Sequence, residues 1–173
     1  MDLNKYIRDI PDFPKKGIVY KDITTLLKNS EAYNFVINQL FDRYKHKRID
    51  KVIGIEARGF ILAASLATKL NCGMVPIRKI NKLPYKTYKY EYTLEYGKDC
   101  IEVHQDAVDV NDNVILIDDV LATGGTVEAA ISLLQNFKCN LVECAFLIEL
   151  LFLKGNNKIS KKNFTHYSVL EIK

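Results

Sequence analysis

The sequence predicts an α/β protein with a parallel sheet core flanked by helices, on three observations. Short, continuous apolar runs occur at 52–55, 74–77, 114–117 and 141–151, the pattern of strands covered on both faces. Segments of helical period alternate with these runs. Between 79 and 113 the pattern changes to alternation without helical period, through Tyr88, Tyr90, Tyr92, Leu94 and Tyr96 and later Ile101 and Val103. Two antiparallel ribbons fit that stretch, and a long ribbon inserted between the strands of an α/β core is a candidate active-site lid.

The elements follow in order. Tyr33, Val36, Ile37, Leu40, Phe41 and Tyr44 keep the i, i+3, i+4, i+7 series of an amphipathic helix, and Asn29 and Ser30 before them are good N-caps. That helix should end in Lys45-His46-Lys47-Arg48, where cations suit the negative end of the helix dipole. The run at 52–55 is too short for a helix and leads through Glu56-Ala57-Arg58-Gly59 to an Ala-rich helix over 60–70. The run at 74–77 is a strand, and the ribbon that follows should turn at Tyr96-Gly97-Lys98-Asp99. The run at 114–117 gives a strand, then a loop, a helix over 126–137, and a further strand over 141–151.

Size and composition limit the function. A chain of 173 residues and 19.8 kDa buries about 70% of its extended surface on folding, enough for one well-formed core. With 48% hydrophobic and 27% charged residues it is an ordinary globular chain, and no apolar stretch approaches the roughly 20 residues of a membrane span. The net charge of +4 is spread along the chain, unlike the concentrated footprint of a nucleic-acid binder. The N-terminus lacks an apolar leader segment, so a cytoplasmic protein is expected, without membrane or nucleic-acid partners. Cys72, Cys100, Cys139 and Cys144 form no CxxC pair and, with His46, His104 and His166, no zinc spacing; they read as small buried hydrophobes. Of the histidines, His104 stands nearest the ribbon, yet nothing pairs it with a nucleophile.

The strongest chemical signal is Val114-Ile-Leu-Ile-Asp118-Asp119-Val-Leu-Ala122-Thr123-Gly124-Gly125-Thr126. A buried strand delivers two carboxylates toward its C-terminal end, where open parallel sheets bind ligands. The adjacent glycines let bare backbone N–H groups curl around an anion as a helix begins, and Thr123 and Thr126 add hydroxyls, so the block reads as a phosphate loop. It is neither a GxxxxGK[ST] loop nor a GxGxxG turn.

This block resembles the phosphoribosyl pyrophosphate (PRPP) signature of type I phosphoribosyltransferases. Three further segments, Asp12-Phe13-Pro14 through Gly17-Ile-Val19-Tyr20-Lys21-Asp22-Ile23, Gly54-Ile-Glu56-Ala57-Arg58-Gly59-Phe60, and Arg78-Lys79 through Lys82-Leu83-Pro84 to Leu94-Glu95-Tyr96-Gly97, are similar in order and spacing to the adenine phosphoribosyltransferase family. The resemblance implies the type I phosphoribosyltransferase fold, in a single domain over 1–173 with an N-terminal hood over about 1–30 and an inserted antiparallel lid ribbon over about 80–105. It implies conversion of adenine and PRPP to AMP and pyrophosphate, with Mg²⁺ bound through PRPP and no protein metal ligands, in a homodimer. Transfer to a 6-oxopurine (hypoxanthine or xanthine) and a non-catalytic PRPP-binding regulator are the alternatives.

Site residues follow from the same resemblance. Ala122, Thr123, Gly124, Gly125 and Thr126 would cradle the 5′-phosphate. Asp118 and Asp119 would hold the ribose hydroxyls and the positive charge that develops on the sugar, with the Asp119 carboxylate expected to face the ribose and not the core. Glu56, Ala57 and Arg58 form the pyrophosphate loop, with a cis Glu56–Ala57 peptide, and Arg78, Lys79 and Lys82 are pyrophosphate-facing, one of them across a dimer interface. Val19 and Lys21 would read the adenine edge through their backbone while Tyr20 stacks on the base. Asn81 stands where many relatives carry Gly, and Asn tolerates positive φ better than most residues. In Leu94-Glu95-Tyr96 the alternation sends Glu95 opposite to its neighbours, which makes it the candidate catalytic carboxylate beside the purine.

Overall fold

The first 40 residues are organised by polar contacts around a short hairpin. In the computed structural model, which describes the backbone of residues 1–94 and 97–173 and their side chains except at 93, 94, 97 and 98, the chain divides into two units, Met1–Leu40 and Phe41–Lys173. In the first, strands β1 (Arg8–Pro11) and β2 (Val19–Asp22) pair antiparallel with Ile10 opposite Tyr20. Asp12 (φ 57°) and Gly17 (φ 87°) take left-handed conformations in the connecting loop, and the Asp12 carboxylate accepts the Gly17 N–H at 2.6 Å. Buried Asp22 accepts both the N–H and the hydroxyl of Thr24 at 2.9 Å and so starts the single turn α1 (Thr24–Leu27). Helix α2 (Ser30–Tyr44) begins where its cap predicts: Asn29 Oδ1 accepts the Ala32 N–H at 2.9 Å. Val36, Ile37, Leu40 and Tyr44 are buried along it.

In the second unit the apolar runs become the centre of a seven-stranded sheet. Strand β3 (Lys51–Ile55) leads to helix α3 (Arg58–Leu70) and strand β4 (Gly73–Lys79). Strands β5 (Thr87–Leu94) and β6 (Gly97–His104) form one ribbon, followed by β7 (Asn113–Leu121), helix α4 (Gly125–Leu134), β8 (Asn140–Leu150), helix α5 (Asn156–Lys161) and β9 (His166–Ile172). The order across the sheet is β5-β6-β4-β3-β7-β8-β9. The five strands from β4 to β9 run parallel, and the ribbon joins antiparallel through Arg78 opposite Glu102 and Lys79 opposite Ile101. Ile53, Ile55, Leu116, Phe146 and the inner face of α4 share one core. On the opposite face α3 approaches so closely that a Cβ on Gly54 would meet Ala63 Cβ at 2.8 Å.

Two expectations shift. Among the described residues the stretch 79–113 holds one ribbon, not two, and Gly97 and Asp99 lie in β6, opposite Leu94 and Tyr92, so strand begins where the turn was expected. Strand β7 continues through both aspartates to Leu121. At the C-terminus, α5 and β9 carry no clear period in the sequence. Of the four cysteines expected to be buried, Cys100 and Cys144 are, with burial pushing the Cys144 thiol up to about 12, while Cys72 and Cys139 are only half-buried.

Candidate active site

The end of β7, the loop 122–124 and the start of α4 surround a cavity of about 70 Å³ lined by Asp118, Val120, residues 121–127 and Phe146. Gly124 occupies φ 76° at the N-cap of α4, a left-handed conformation open to glycine without steric cost. The amides of the first turn of α4 are thereby left at the mouth of the loop, where a helix N-terminus favours an anion.

The two aspartates leave the strand on opposite faces, as alternate residues must. Asp118 belongs to the cavity lining and its Oδ1 accepts the Asp119 N–H at 2.8 Å. Burial, reinforced by the neighbouring Asp119 carboxylate, pushes its carboxyl well above the usual range. Asp119 is 4% exposed. Its Oδ2 lies 2.8 Å from Arg58 Nε without a well-directed hydrogen bond. Burial raises Asp119 too, and the guanidinium partly offsets it. Gly59 makes this arrangement possible, because a Cβ there would meet the Ile117 carbonyl at 2.8 Å and Asp118 Oδ1 at 3.0 Å.

The Glu56–Ala57 peptide is cis, as expected. Glu56 accepts Arg78 Nε at 3.2 Å, Arg78 Nη2 at 3.4 Å and the Lys79 N–H at 2.8 Å. Burial alone would raise the Glu56 carboxyl, but these donors hold it below its ordinary value. Arg78 Nη1 also donates to the Lys82 carbonyl at 3.2 Å, and Lys79 Nζ sits 2.9 Å from Asp99. Two of the three expected pyrophosphate cations are thus engaged within their own chain, while the Lys82 side chain is on the surface. Asn81 takes φ 65°, the conformation anticipated for it.

In the N-terminal unit Val19 is 47% exposed, the Tyr20 ring meets Phe13 edge-on at 5.2 Å, and Lys21 pairs with Asp9 at 2.7 Å. Glu95 lies outside the described residues. Among the described residues no group of three His, Cys, Asp or Glu side chains converges as a metal cage, and no helix is long and apolar enough to cross a membrane.

Two residues that sequence reasoning missed bear on the site. Gly155, the residue before α5, backs the phosphate loop: a Cβ on it would stand 2.2 Å from the Ala122 carbonyl and 2.9 Å from Gly124 N. Glu102, 1% exposed in β6, accepts the backbone N–H groups of Lys82 and Leu83. The turn-like Lys154-Gly155-Asn156 is the only local signal for the first; alternation along β6 hides the second.

The phosphoribosyl transferase domain family matches residues 20–173. The adenine phosphoribosyltransferase of Halothermothrix orenii is 54% identical over 159 residues, 92% of this chain and 94% of the relative. The crystal structure of adenine phosphoribosyltransferase from Thermoanaerobacter pseudethanolicus superposes with a TM-score of 0.94 at 43% identity, covering 99% of this chain and 98% of the other. The Saccharomyces cerevisiae enzyme, complexed with adenine and an imino-altritol bisphosphate, gives 0.89 at 35% identity, with 96% of each chain covered.

Proposed function

The chain belongs to the adenine phosphoribosyltransferase family, and from that premise we propose that it transfers the 5-phosphoribosyl group from the Mg²⁺ salt of PRPP to adenine, giving AMP and pyrophosphate. The observation that carries this reading is the joining of a buried acidic strand, a glycine turn and a helix N-terminus around one cavity.

In this reading the amides and hydroxyls of Ala122, Thr123, Gly124, Gly125 and Thr126 hold the 5′-phosphate, fixing the sugar at one end. Loss of pyrophosphate leaves an oxocarbenium-like centre. Asp118, half-buried at the cavity, and buried Asp119 are already placed to stabilise that charge more than the neutral ground state. The Glu56-Ala57-Arg58 loop with Arg78, Lys79 and Lys82 receives the leaving pyrophosphate, whose charge Mg²⁺ neutralises on the substrate. Val19 and Lys21 read adenine through their backbone, Tyr20 covers its face, and Glu95 takes or redistributes the N9 proton.

A cytoplasmic homodimer completes the proposal. Because Arg78 and Lys79 are held by Glu56 and Asp99, a side chain that completes a neighbour's site must exchange one of these partners for it. Sedimentation should give a dimer at assay concentration; an active monomer contradicts this part. For the reaction, purified protein with adenine, PRPP and Mg²⁺ should form AMP and pyrophosphate in equal amounts. Absence of AMP overturns the reading.

A further inference from the structure

The loop from β4 to β5 carries Lys82 and passes a carboxylate for which the reading above has no role. Glu102 is buried, and burial alone would raise its carboxyl, yet hydrogen bonds led by the Leu83 and Lys82 N–H groups outweigh that and hold it below its ordinary value. Its Oε1 accepts Lys82 N–H at 2.9 Å and Leu83 N–H at 3.1 Å, and its Oε2 accepts the Thr87 hydroxyl at 3.3 Å with Lys89 Nζ at 3.8 Å. Arg78 stands directly across from it in the β4–β6 register. That guanidinium reaches the same loop, donating to the Lys82 carbonyl at 3.2 Å while its remaining nitrogens lie on Glu56. A continuous chain of hydrogen bonds therefore runs from Glu56 through Arg78 and the Lys82 backbone to Glu102.

We propose that Glu102 is a positioning residue for the pyrophosphate site: by gripping two consecutive N–H groups it fixes the Lys82–Leu83 backbone and, through the Arg78 strut, sets Lys82 in register with the Glu56–Arg58 loop. The inference rests on the reading of Lys82 and Arg58 as pyrophosphate-facing. What the grip requires is one oxygen at the right reach, accepting two N–H bonds. Among the described residues, apolar packing holds the loop only in part, since Ile80 is 41% exposed and Leu83 is half-buried. A backbone segment without its acceptor turns its N–H groups to water and loses its fixed geometry.

Two mild variants separate reach from charge. Glu102→Gln keeps an oxygen where Oε1 is, and its new NH₂ can donate to the Thr87 hydroxyl. Glu102→Asp keeps the charge and draws both oxygens back by one methylene. Steady-state kinetics in both directions, with thermal unfolding alongside, should give the Asp variant a KM for pyrophosphate raised about tenfold, the worth of one ordinary hydrogen bond. Its KM for adenine should stay within about twofold, and the Gln variant should stay within about threefold of wild type in both. Lys82→Ala should abolish the Asp effect, because the grip acts through that loop. An Asp variant like wild type beside an impaired Gln variant overturns the proposal in favour of a charge role. Equal rises in both KM values, or an Asp effect that persists in Lys82→Ala, also overturn it. A wild-type protein that makes no adenine and PRPP from AMP and pyrophosphate instead defeats the functional reading on which the proposal rests.

Discussion

Gly155→Ala isolates the support of the phosphate loop from every other property of that position. Gly155 sits at φ −62° and ψ −27°, a conformation alanine adopts freely, so on backbone grounds the change should stabilise the fold by about 0.4–1 kcal/mol. Space is the only obstacle. The new Cβ would stand 2.2 Å from the Ala122 carbonyl oxygen and 2.9 Å from Gly124 N, both main-chain atoms with no rotamer to yield. Restoring van der Waals contact needs a separation of roughly 1 Å, taken up by the loop 122–124 or by the segment before α5, which Ile159 in the core and Lys158 paired with Glu128 at 3.4 Å hold in place. A loop shift of that size at a phosphate subsite is worth up to about 10²-fold in rate. Initial rates with PRPP varied at saturating adenine, and the converse, should show the KM for PRPP raised about 10- to 100-fold with adenine nearly unaffected. A KM for PRPP within about twofold of wild type would refute the argument that Gly155 sets the loop.

Three other outcomes are expected, two from the structure and the third from the role proposed for Glu95. Asp118→Asn keeps the acceptor for the Asp119 N–H and removes a carboxylate whose folded pKa burial raises; a raised carboxyl destabilises the fold increasingly as pH climbs past its unfolded value of about 3.9. Its melting temperature at neutral pH should therefore rise, by about 2–4 °C for each kcal/mol recovered, while kcat falls at least about 10²-fold. Glu143, gripped by Arg43 at 2.5 and 2.7 Å and by the Tyr44 hydroxyl at 2.8 Å, is held below its ordinary value against the opposing effect of burial; Glu143→Ala should cost about 2–3 kcal/mol, less than a wholly buried pair because Arg43 is partly exposed. That contribution is full above the unfolded pKa of about 4.3 and disappears as pH falls through the depressed folded value, so acid melts of wild type and variant should converge. Glu95→Gln should lower kcat about 10²- to 10⁴-fold with PRPP affinity little changed, checked by a pre-steady-state burst to establish that chemistry limits turnover.

Local chemistry in the sequence was enough to read the sheet centre, because strands β3, β7 and β8 are buried on both faces and therefore write uninterrupted apolar runs. It was also enough for the cap at Asn29 and the left-handed Asn81, both decided within a few residues. It failed where the cause is distant in the chain. Charged Asp118 and Asp119 look like the end of a strand, yet pairing of Asp118 with Phe146 and Val120 with Ile148 of β8 carries the ladder past them. The C-terminal β9 lies at the sheet edge and is only half buried, so its pattern stays mixed, and the six residues of α5 are too few to show a period. The pairing of Arg78 with Glu56 was likewise hidden, because the two stand 22 residues apart. Nothing near Gly155 or Glu102 announces which backbone each will meet.

The central claim, adenine specificity on a PRPP-dependent transferase, is tested most directly by kcat/KM for adenine, hypoxanthine, xanthine and guanine, each with PRPP and Mg²⁺. A 6-oxo purine presents an acceptor where adenine presents an amino donor, leaving the backbone groups that read the base unpaired. The account predicts adenine preferred by about 10⁴-fold or more. Pyrophosphate release with hypoxanthine or xanthine at a rate equal to or above that with adenine would contradict it.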